Sequence, residues 1–221
     1  MTTISSTSFA QVADAYLQRL KASFSAEIIA AIETLANELR QAWVEGRHVF
    51  ICGNGGSAAN ALHIANDLLY GIGSCGPSPK LPGLRVEALP SNVGLITCLA
   101  NDIGYQNIYV HQLIVKARAG DLLIVLSGSG DSLNVVRAIE TATKLSMKSF
   151  AILAFSGGRC LDLADVPIHF PIDDMQIAED TQLVVGHLCM QWLNANKPTN
   201  LVSGINGRSG LHERATQKHT A

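Results

Sequence analysis

A glycine-rich turn separates an apolar run from a helical pattern in the stretch CGNGGSAANALHIANDL, residues 52–68. Gly53, Gly55 and Gly56 would let the backbone approach an anion, and Ser57 offers a hydroxyl group at the start of the helix. The N-terminus of a helix also presents free N–H groups to a phosphate. The turn is neither a Rossmann G-x-G-x-x-G nor a Walker loop, which requires a lysine. Taken alone, it is equally compatible with a tight strand-to-helix connection.

A second turn with the same placement carries three serines. The segment LSGSGDSLNVV follows the apolar run DLLIVL and offers the hydroxyl groups of Ser127, Ser129 and Ser132. Serine and backbone donors without Lys or Arg suit a phosphate monoester, whereas a polyphosphate needs cationic clamps and magnesium. Two such turns favour phosphate binding, and the structural alternative is that these serines only cap a helix.

The helix after the first turn carries two side chains that could transfer protons. His63 and Asp67 are four residues apart, so they lie on one face of the helix and converge. A histidine and a carboxylate are common general acids and bases. The structural alternatives are a salt bridge within the helix and a hydrogen-bonded histidine of the core.

Five apolar runs between these features predict the strands that position them. They are HVFICG (48–53), LRVEALP (84–90), DLLIVLSG (121–128), SFAILAFSG (149–157) and VPIHFPI (166–172). Strands that alternate with helices indicate a parallel sheet with helices on both faces, a doubly wound α/β domain. In such a sheet, ligands bind at the carboxyl ends of the strands, which is where both turns lie.

The N-terminal region shows an unbroken helical pattern from Val12 to Trp43, with apolar residues every three or four positions. It presents more apolar surface than a lone helix can cover, so we expect it to pack against partner subunits. The Pro/Gly-rich segment 71–83 predicts a surface loop. The predicted organisation is a helical oligomerisation segment (1–45), an α/β domain (46–195) and a flexible C-terminal tail (196–221).

Composition excludes several classes of protein. The 221 residues carry a formal net charge of −2, without the basic excess that nucleic acid binding requires. No signal peptide and no apolar run long enough to cross a membrane is present, so we expect a cytoplasmic protein. The five cysteines are scattered without a C-x-x-C pair, which argues against disulfides and a thiolate zinc site. Most of them should be small buried residues.

Three motifs in this order, GNGGSAANALH, LANDIGYQNIY and GDLLIVLSGSGDSLNVVRAI, resemble the sugar isomerase (SIS) domain family. More narrowly, they resemble its phosphoheptose isomerase branch. The resemblance implies a flavodoxin-like sheet, an N-terminal helical extension used in a homotetramer, and active sites at subunit contacts. It also implies isomerisation of sedoheptulose 7-phosphate to D-glycero-D-manno-heptose 7-phosphate, with a sugar phosphate as the partner molecule.

The family's binding residues correspond to positions in all three motifs. Its phosphate loop corresponds to Ser127, Gly128, Ser129 and Ser132, and its sugar-contacting turn to Asn54, Gly55, Gly56 and Ser57. Asp102, in ANDIGY, stands at the position of a family active-site aspartate.

The resemblance also assigns an acid/base and zinc set. The family's H-x-x-x-E pair, whose Glu is the catalytic acid/base, corresponds to His63 and Asp67. A Gln and a catalytic His eight residues later correspond to Glu179 and His187. In metal-bearing members these four positions hold zinc. Two residues depart from the family pattern, because Asp67 is one methylene shorter than Glu and Glu179 adds a negative charge.

Aldose–ketose isomerisation through an enediol fits these residue types. One group must remove a proton from carbon, and another group, or a metal, must act at the oxygens. Asp67 and His187 are the predicted catalytic pair. His187 stands in an apolar helix, where burial would perturb it, or where it could be a core histidine. Gln182, on the same helix, could contact sugar hydroxyls or belong to a simple polar face.

Three functions remain open at this point: an isomerase, a non-catalytic SIS-domain sensor or adaptor of the replication-initiator-binding type, and a structural assembly protein. The presence of both His187 and a carboxylate at position 67 favours the enzyme.

Overall fold

A computed structural model describes residues 8–75 and 80–198 of the chain. Its single sheet contains five strands, β1 (His48–Gly53), β2 (Arg85–Ala88), β3 (Leu122–Ser127), β4 (Lys148–Leu153) and β5 (Val166–His169). All neighbouring strands are parallel, and their order is β2-β1-β3-β4-β5. This is the strand order of the flavodoxin-like doubly wound fold. The predicted fold class and all five predicted strands are therefore confirmed.

Helices cover the sheet on both faces. They are α1 (Phe9–Ala22), α2 (Ala26–Glu45), α3 (Gly56–Asn66), α4 (Ile72–Ser74), α5 (Val93–Ile103), α6 (Ile108–Lys116), α7 (Leu133–Lys144), α8 (Gly158–Leu163) and α9 (Met175–Ala195). A π-helix (Asp67–Gly71) connects α3 to α4, and single 3-10 turns span Leu89–Ser91 and Tyr105–Asn107.

The strands read as continuous apolar runs because both faces of the sheet are buried. In β1, Val49 and Ile51 pack on one face with residues of α2, α3 and α9. Phe50 and Cys52 pack on the opposite face with residues of α5, α6 and α7. The helices α3 and α9, which carry most of the candidate site residues, thus lie together on the first face.

The N-terminal region forms two helices, not the unbroken helix that the sequence predicted. Ser25 is the N-cap of α2, and its hydroxyl oxygen accepts a hydrogen bond from the N–H of Ile28 at 3.3 Å. The apolar spacing hid this break, because Phe24 continues the pattern and packs edge-on against the ring of Phe170. Serine side chains offer the backbone an alternative to the helix, which explains the break here.

The two N-terminal helices differ in their role. Residues Ile32, Leu35 and Leu39 of α2 are buried in the core beneath the sheet. The apolar face of α2 is therefore covered by its own chain, whereas we expected a partner to cover it. In contrast, none of the residues of α1, Phe9–Ala22, is buried.

Two other expectations meet the structure only in part. The ends of the predicted surface loop 71–83 are buried, with Ile72 and Leu81 in the core, and residues 76–79 lie outside the described part of the chain. Of the predicted tail, residues 199–221 also lie outside the described part of the chain.

All five cysteines are free, and three of them are buried. No described helix is long and apolar enough to cross a membrane.

Candidate active site

The first turn of the site connects β1 to α3 and is held by a buried side chain of α9. Ser57 is buried, and its hydroxyl oxygen accepts a hydrogen bond from Nε2 of Gln182 at 3.0 Å. Gly56 lies against the carboxylate of Glu179, since a Cβ atom at this position would be 2.2 Å from its Oε1. The turn therefore places backbone N–H groups and the carboxylate of Glu179 side by side.

The serine loop, residues 127–132, connects β3 to α7 and is braced by its own hydroxyl groups. The N–H of Gly130 donates to Oγ of Ser127 at 3.0 Å. Gly130 has a φ of +70°, and a Cβ atom there would lie 1.9 Å from the carbonyl oxygen of Gly157. Ser132 is the N-cap of α7 but accepts no capping hydrogen bond, which leaves its hydroxyl group available to a ligand.

The two turns line one cavity of about 300 Å³ at the carboxyl ends of β1 and β3. Its lining residues are Asn54, Gly55, Gly56, Ser57, Leu126, Ser127, Gly128, Ser129, Ser132, Met175 and Glu179. None of these residues is Lys, Arg or His, so the cavity supplies neutral donors and one carboxylate. The predicted phosphate-loop and turn residues thus come together as expected.

Asn54 is fixed by neighbours that sequence reasoning missed. Its Oδ1 accepts hydrogen bonds from Nδ2 of Asn134 at 2.8 Å and from the hydroxyl group of Tyr105 at 3.0 Å, and its Nδ2 donates to Oδ1 of Asn134 at 2.9 Å. An amide nitrogen carries two hydrogens, so one donor of Asn54 remains for a ligand.

Polar side chains between α3 and α9 form a seam that extends from the cavity. It begins at Ser57, Asn60 and Gln182 and ends at His63, Asp67 and His187. Gln182, which is buried, accepts a hydrogen bond from Nδ2 of Asn60 at 3.0 Å, in addition to its bond to Ser57. Gln182 is only 1% exposed, and its contact with a sugar hydroxyl stays a prediction. Asn60 was missed, although it lies one turn from both Ser57 and His63 on the same helix face.

Farther along this seam, the structure brings together His63, Asp67 and His187. The Nε2 atoms of the two histidines are 2.9 Å apart, and Oδ2 of Asp67 lies 3.5 Å from the first and 3.6 Å from the second. One ligand atom from each residue falls within 4.8 Å of the others, as a metal site requires. The histidine side chains are 50% and 47% exposed. The expected burial of His187 is therefore wrong, because the histidine lies on the outward face of α9.

Glu179 does not join this group. It precedes His187 by eight residues, a rise of about 12 Å along a helix. Its carboxylate instead faces Gly56 and the cavity. The sequence spacing was compatible with a shared ion, but the two side chains point to opposite ends of the seam.

The backbone at Asp67 departs from an ordinary helix. The π-helix begins at this residue, and such segments often occur at functional sites. At its end, Nδ2 of Asn194 donates to the carbonyl oxygen of Gly71 at 3.4 Å and to that of the next residue, Ile72, at 3.0 Å. No signal in the sequence indicated the π-helix.

Asp102 lies apart from the other candidate residues. It is exposed on α5 and does not line the cavity. Its carboxylate accepts hydrogen bonds from Nδ2 of Asn101 at 2.8 Å and from Sγ of Cys98 at 3.5 Å, and the latter bond raises the pKa of the Cys98 thiol. The role of Asp102 stays a prediction.

The fold and the two turns define a doubly wound α/β domain with a ligand-type cavity at the carboxyl ends of its strands. Residues 8–154 match the family model of the SIS domain, and the chain belongs to that family. Its relatives include the phosphoheptose isomerase of Thermodesulfovibrio yellowstonii, which is 33% identical over 170 residues, 77% of this chain and 82% of the relative. The phosphoheptose isomerase of Nitratiruptor sp. is 35% identical over 165 residues, 75% of this chain and 81% of the relative.

Solved structures give the same result. The phosphoheptose isomerase of Neisseria gonorrhoeae aligns with a TM-score of 0.74 at 25% identity, covering 84% of this chain and 98% of the other. That of Francisella tularensis aligns with a TM-score of 0.72 at 25% identity, covering 86% and 100%. These similarities support an isomerase over a non-catalytic SIS-domain protein.

Proposed function

We propose that this chain is an aldose–ketose isomerase that converts sedoheptulose 7-phosphate to D-glycero-D-manno-heptose 7-phosphate, acting as a homotetramer in the cytoplasm. The observation that carries the proposal is the α3–α9 seam, which joins a phosphate-type cavity to a group of two imidazoles and a carboxylate. A sugar phosphate needs both features, one to bind the phosphate and one to act on the sugar. The names of the relatives support the choice of a seven-carbon sugar.

The cavity suits a phosphate monoester. Hydroxyl groups of Ser129 and Ser132, together with backbone N–H groups of the two turns, are neutral donors that converge on it. A phosphate held by several neutral donors needs no bound magnesium. The free amide hydrogen of Asn54 would bind a sugar hydroxyl beside the phosphate.

The chemistry of His63, Asp67 and His187 fits zinc. Two imidazole nitrogens and one carboxylate oxygen are zinc ligands, and three protein ligands leave the open position that is typical of catalytic sites. Zinc held by these residues would act as a Lewis acid toward the carbonyl and hydroxyl oxygens of a substrate. Glu179 stands outside this set.

Side chains of the protein transfer the protons. The reaction moves a proton from C1 to C2 of the open-chain ketose and another between the two oxygens. We assign the carbon-bound proton to Oδ1 of Asp67 and the oxygen-bound proton to Nδ1 of His187, because zinc bound at Oδ2 and Nε2, which lie 3.6 Å apart, would leave these atoms free. General acid–base groups of this kind contribute roughly 100-fold or more to a rate.

A panel of ketose phosphates incubated with metal-free and zinc-loaded protein tests the proposal, with products identified by NMR. We expect turnover of the seven-carbon ketose phosphate in the zinc-loaded protein. Binding of ketose phosphates without turnover in either state would overturn the proposal and favour a sugar-phosphate sensor or adaptor.

The exposed apolar face of α1 supports self-association. Phe9, Val12 and Leu17 are 86%, 54% and 62% exposed. Removal of residues 1–22 keeps Phe24 and the core helix α2, and we expect the truncated protein to lose the tetramer in light scattering. A full-length monomer, or a truncated tetramer, would contradict this role of α1.

A further inference from the structure

Glu179 is a carboxylate that the mechanism above does not use. It is half-buried and lines the cavity beside the serine loop. The backbone carbonyl of Glu179 accepts a hydrogen bond from Asn60. Its carboxylate, however, forms no hydrogen bond or ion pair with any residue in 8–75 or 80–198. The carboxylate therefore remains accessible to a ligand from the cavity.

The carboxylate of Glu179 lies beside Gly56, at the end of the cavity that the serine loop lines and where we expect the phosphate. With the phosphate on the serine loop, an extended seven-carbon chain places C1 roughly 10 Å away, from bond lengths of about 1.5 Å. This distance is similar to the rise of about 12 Å that separates Glu179 from His187 along α9. Glu179 thus lies at the phosphate end of the substrate, and His187 at the carbonyl end.

The chemistry at the phosphate end is ring opening. Heptulose 7-phosphates close into hemiketal rings, in which C2 is bonded to O5 or O6. In the six-membered ring, the ring oxygen is attached to C6, next to the phosphate-bearing C7. The closed ring therefore holds C2 and its anomeric hydroxyl group near the phosphate, within the part of the cavity that Glu179 lines.

We infer that Glu179 opens the sugar ring before isomerisation, an inference that rests on the proposed function. The carboxylate takes the proton of the anomeric hydroxyl group, and the released electron pair forms the C2=O double bond. The bond between C2 and the ring oxygen breaks with its electrons on that oxygen, which takes the proton from the carboxyl group. The carboxylate is regenerated, no other reagent is consumed, and C1 and C2 are free to reach the histidines.

A glutamine at this position could bind the ring but could not carry the proton, because an amide does not ionise near neutral pH. The variant Glu179→Gln keeps the shape of the side chain and is therefore the test. Glu140→Gln is the matched control, since Glu140 is an exposed glutamate on α7.

The experiment compares two substrates. One is sedoheptulose 7-phosphate, and the other is its 5,6-dideoxy analogue, which has no hydroxyl group that can close a five- or six-membered ring on C2. We expect Glu179→Gln to lower kcat on the first substrate by about 100-fold, the scale of general acid–base catalysis, with KM nearly unchanged. On the acyclic analogue, and for Glu140→Gln on both substrates, we expect kcat within about twofold of wild type.

Each other outcome overturns the inference in a distinguishable way. Equal losses of kcat on both substrates would mean that Glu179 acts in the isomerisation step or only supports the fold. An unchanged kcat on both substrates would mean that Glu179 has no catalytic role. If the wild-type protein turns over neither substrate, the proposed function itself fails. Zinc content and circular dichroism of the variants establish that metal binding and folding are unchanged.

Discussion

The two ends of the α3–α9 seam are built in opposite ways. At the cavity end, Ser57 and Gln182 are only 6% and 1% exposed and are hydrogen-bonded to each other. At the other end, the side chains of His63 and His187 are about half-exposed, and their nearest polar partners are each other and Asp67. The cavity end is preorganised by buried hydrogen bonds, whereas the histidine end keeps its ligand atoms accessible to a metal and to a substrate.

The largest expected effect comes from the histidine end. His187→Ala and Asp67→Asn should each lower turnover by at least ~100-fold, because each removes a proton-transfer group and a metal ligand. Chelation of the wild-type protein should do the same. Steady-state kinetics and the zinc content of each purified variant measure both effects, and we expect zinc near one per subunit in the wild type.

His111→Ala is the control, since His111 is exposed on α6. If chelated, metal-free protein turns over at the full rate, the metal role is wrong and direct acid–base catalysis by Asp67 and His187 is preferred. Unchanged turnover in the His187 and Asp67 variants would remove the functional distinction between the two ends of the seam.

The cavity end was predicted well from the sequence. Strand ends and glycine-rich turns are local features, and parallel strands bring their carboxyl ends to one edge of the sheet. Two separate segments, around Ser57 and Ser129, could therefore be placed in one site without knowledge of tertiary contacts.

The histidine end was predicted less completely. Helical spacing correctly paired His63 with Asp67, but it did not show which way the side chains of α9 point. Glu179 and His187 were for this reason assigned to one ion, although they face different ends of the seam. The orientation of a helix face is fixed by packing of the whole domain, which periodicity alone does not contain.

A smaller effect is expected from the serine loop. Ser129→Ala combined with Ser132→Ala removes two hydroxyl donors to a bound phosphate, while the backbone N–H groups of the two turns remain. Affinity for sedoheptulose 7-phosphate should fall by more than tenfold in calorimetry, while the fold persists. Ser91→Ala, an exposed serine outside the cavity, is the control. Unchanged binding in the double variant would contradict the assignment of the phosphate site.

The smallest expected effect is a difference in stability between the two ends. Gln182→Met removes two hydrogen bonds from a buried site, those to Ser57 and Asn60, and should lower the free energy of unfolding by about 1 kcal/mol. His187→Asn changes a half-exposed side chain and should stay within about 0.5 kcal/mol of wild type. Urea denaturation of the metal-free proteins measures both, because bound metal would stabilise the folded state and mask the comparison. Equal losses of unfolding free energy in the two variants would mean that the histidine end is as preorganised as the cavity end. The exposure of His187 would then not indicate an open site.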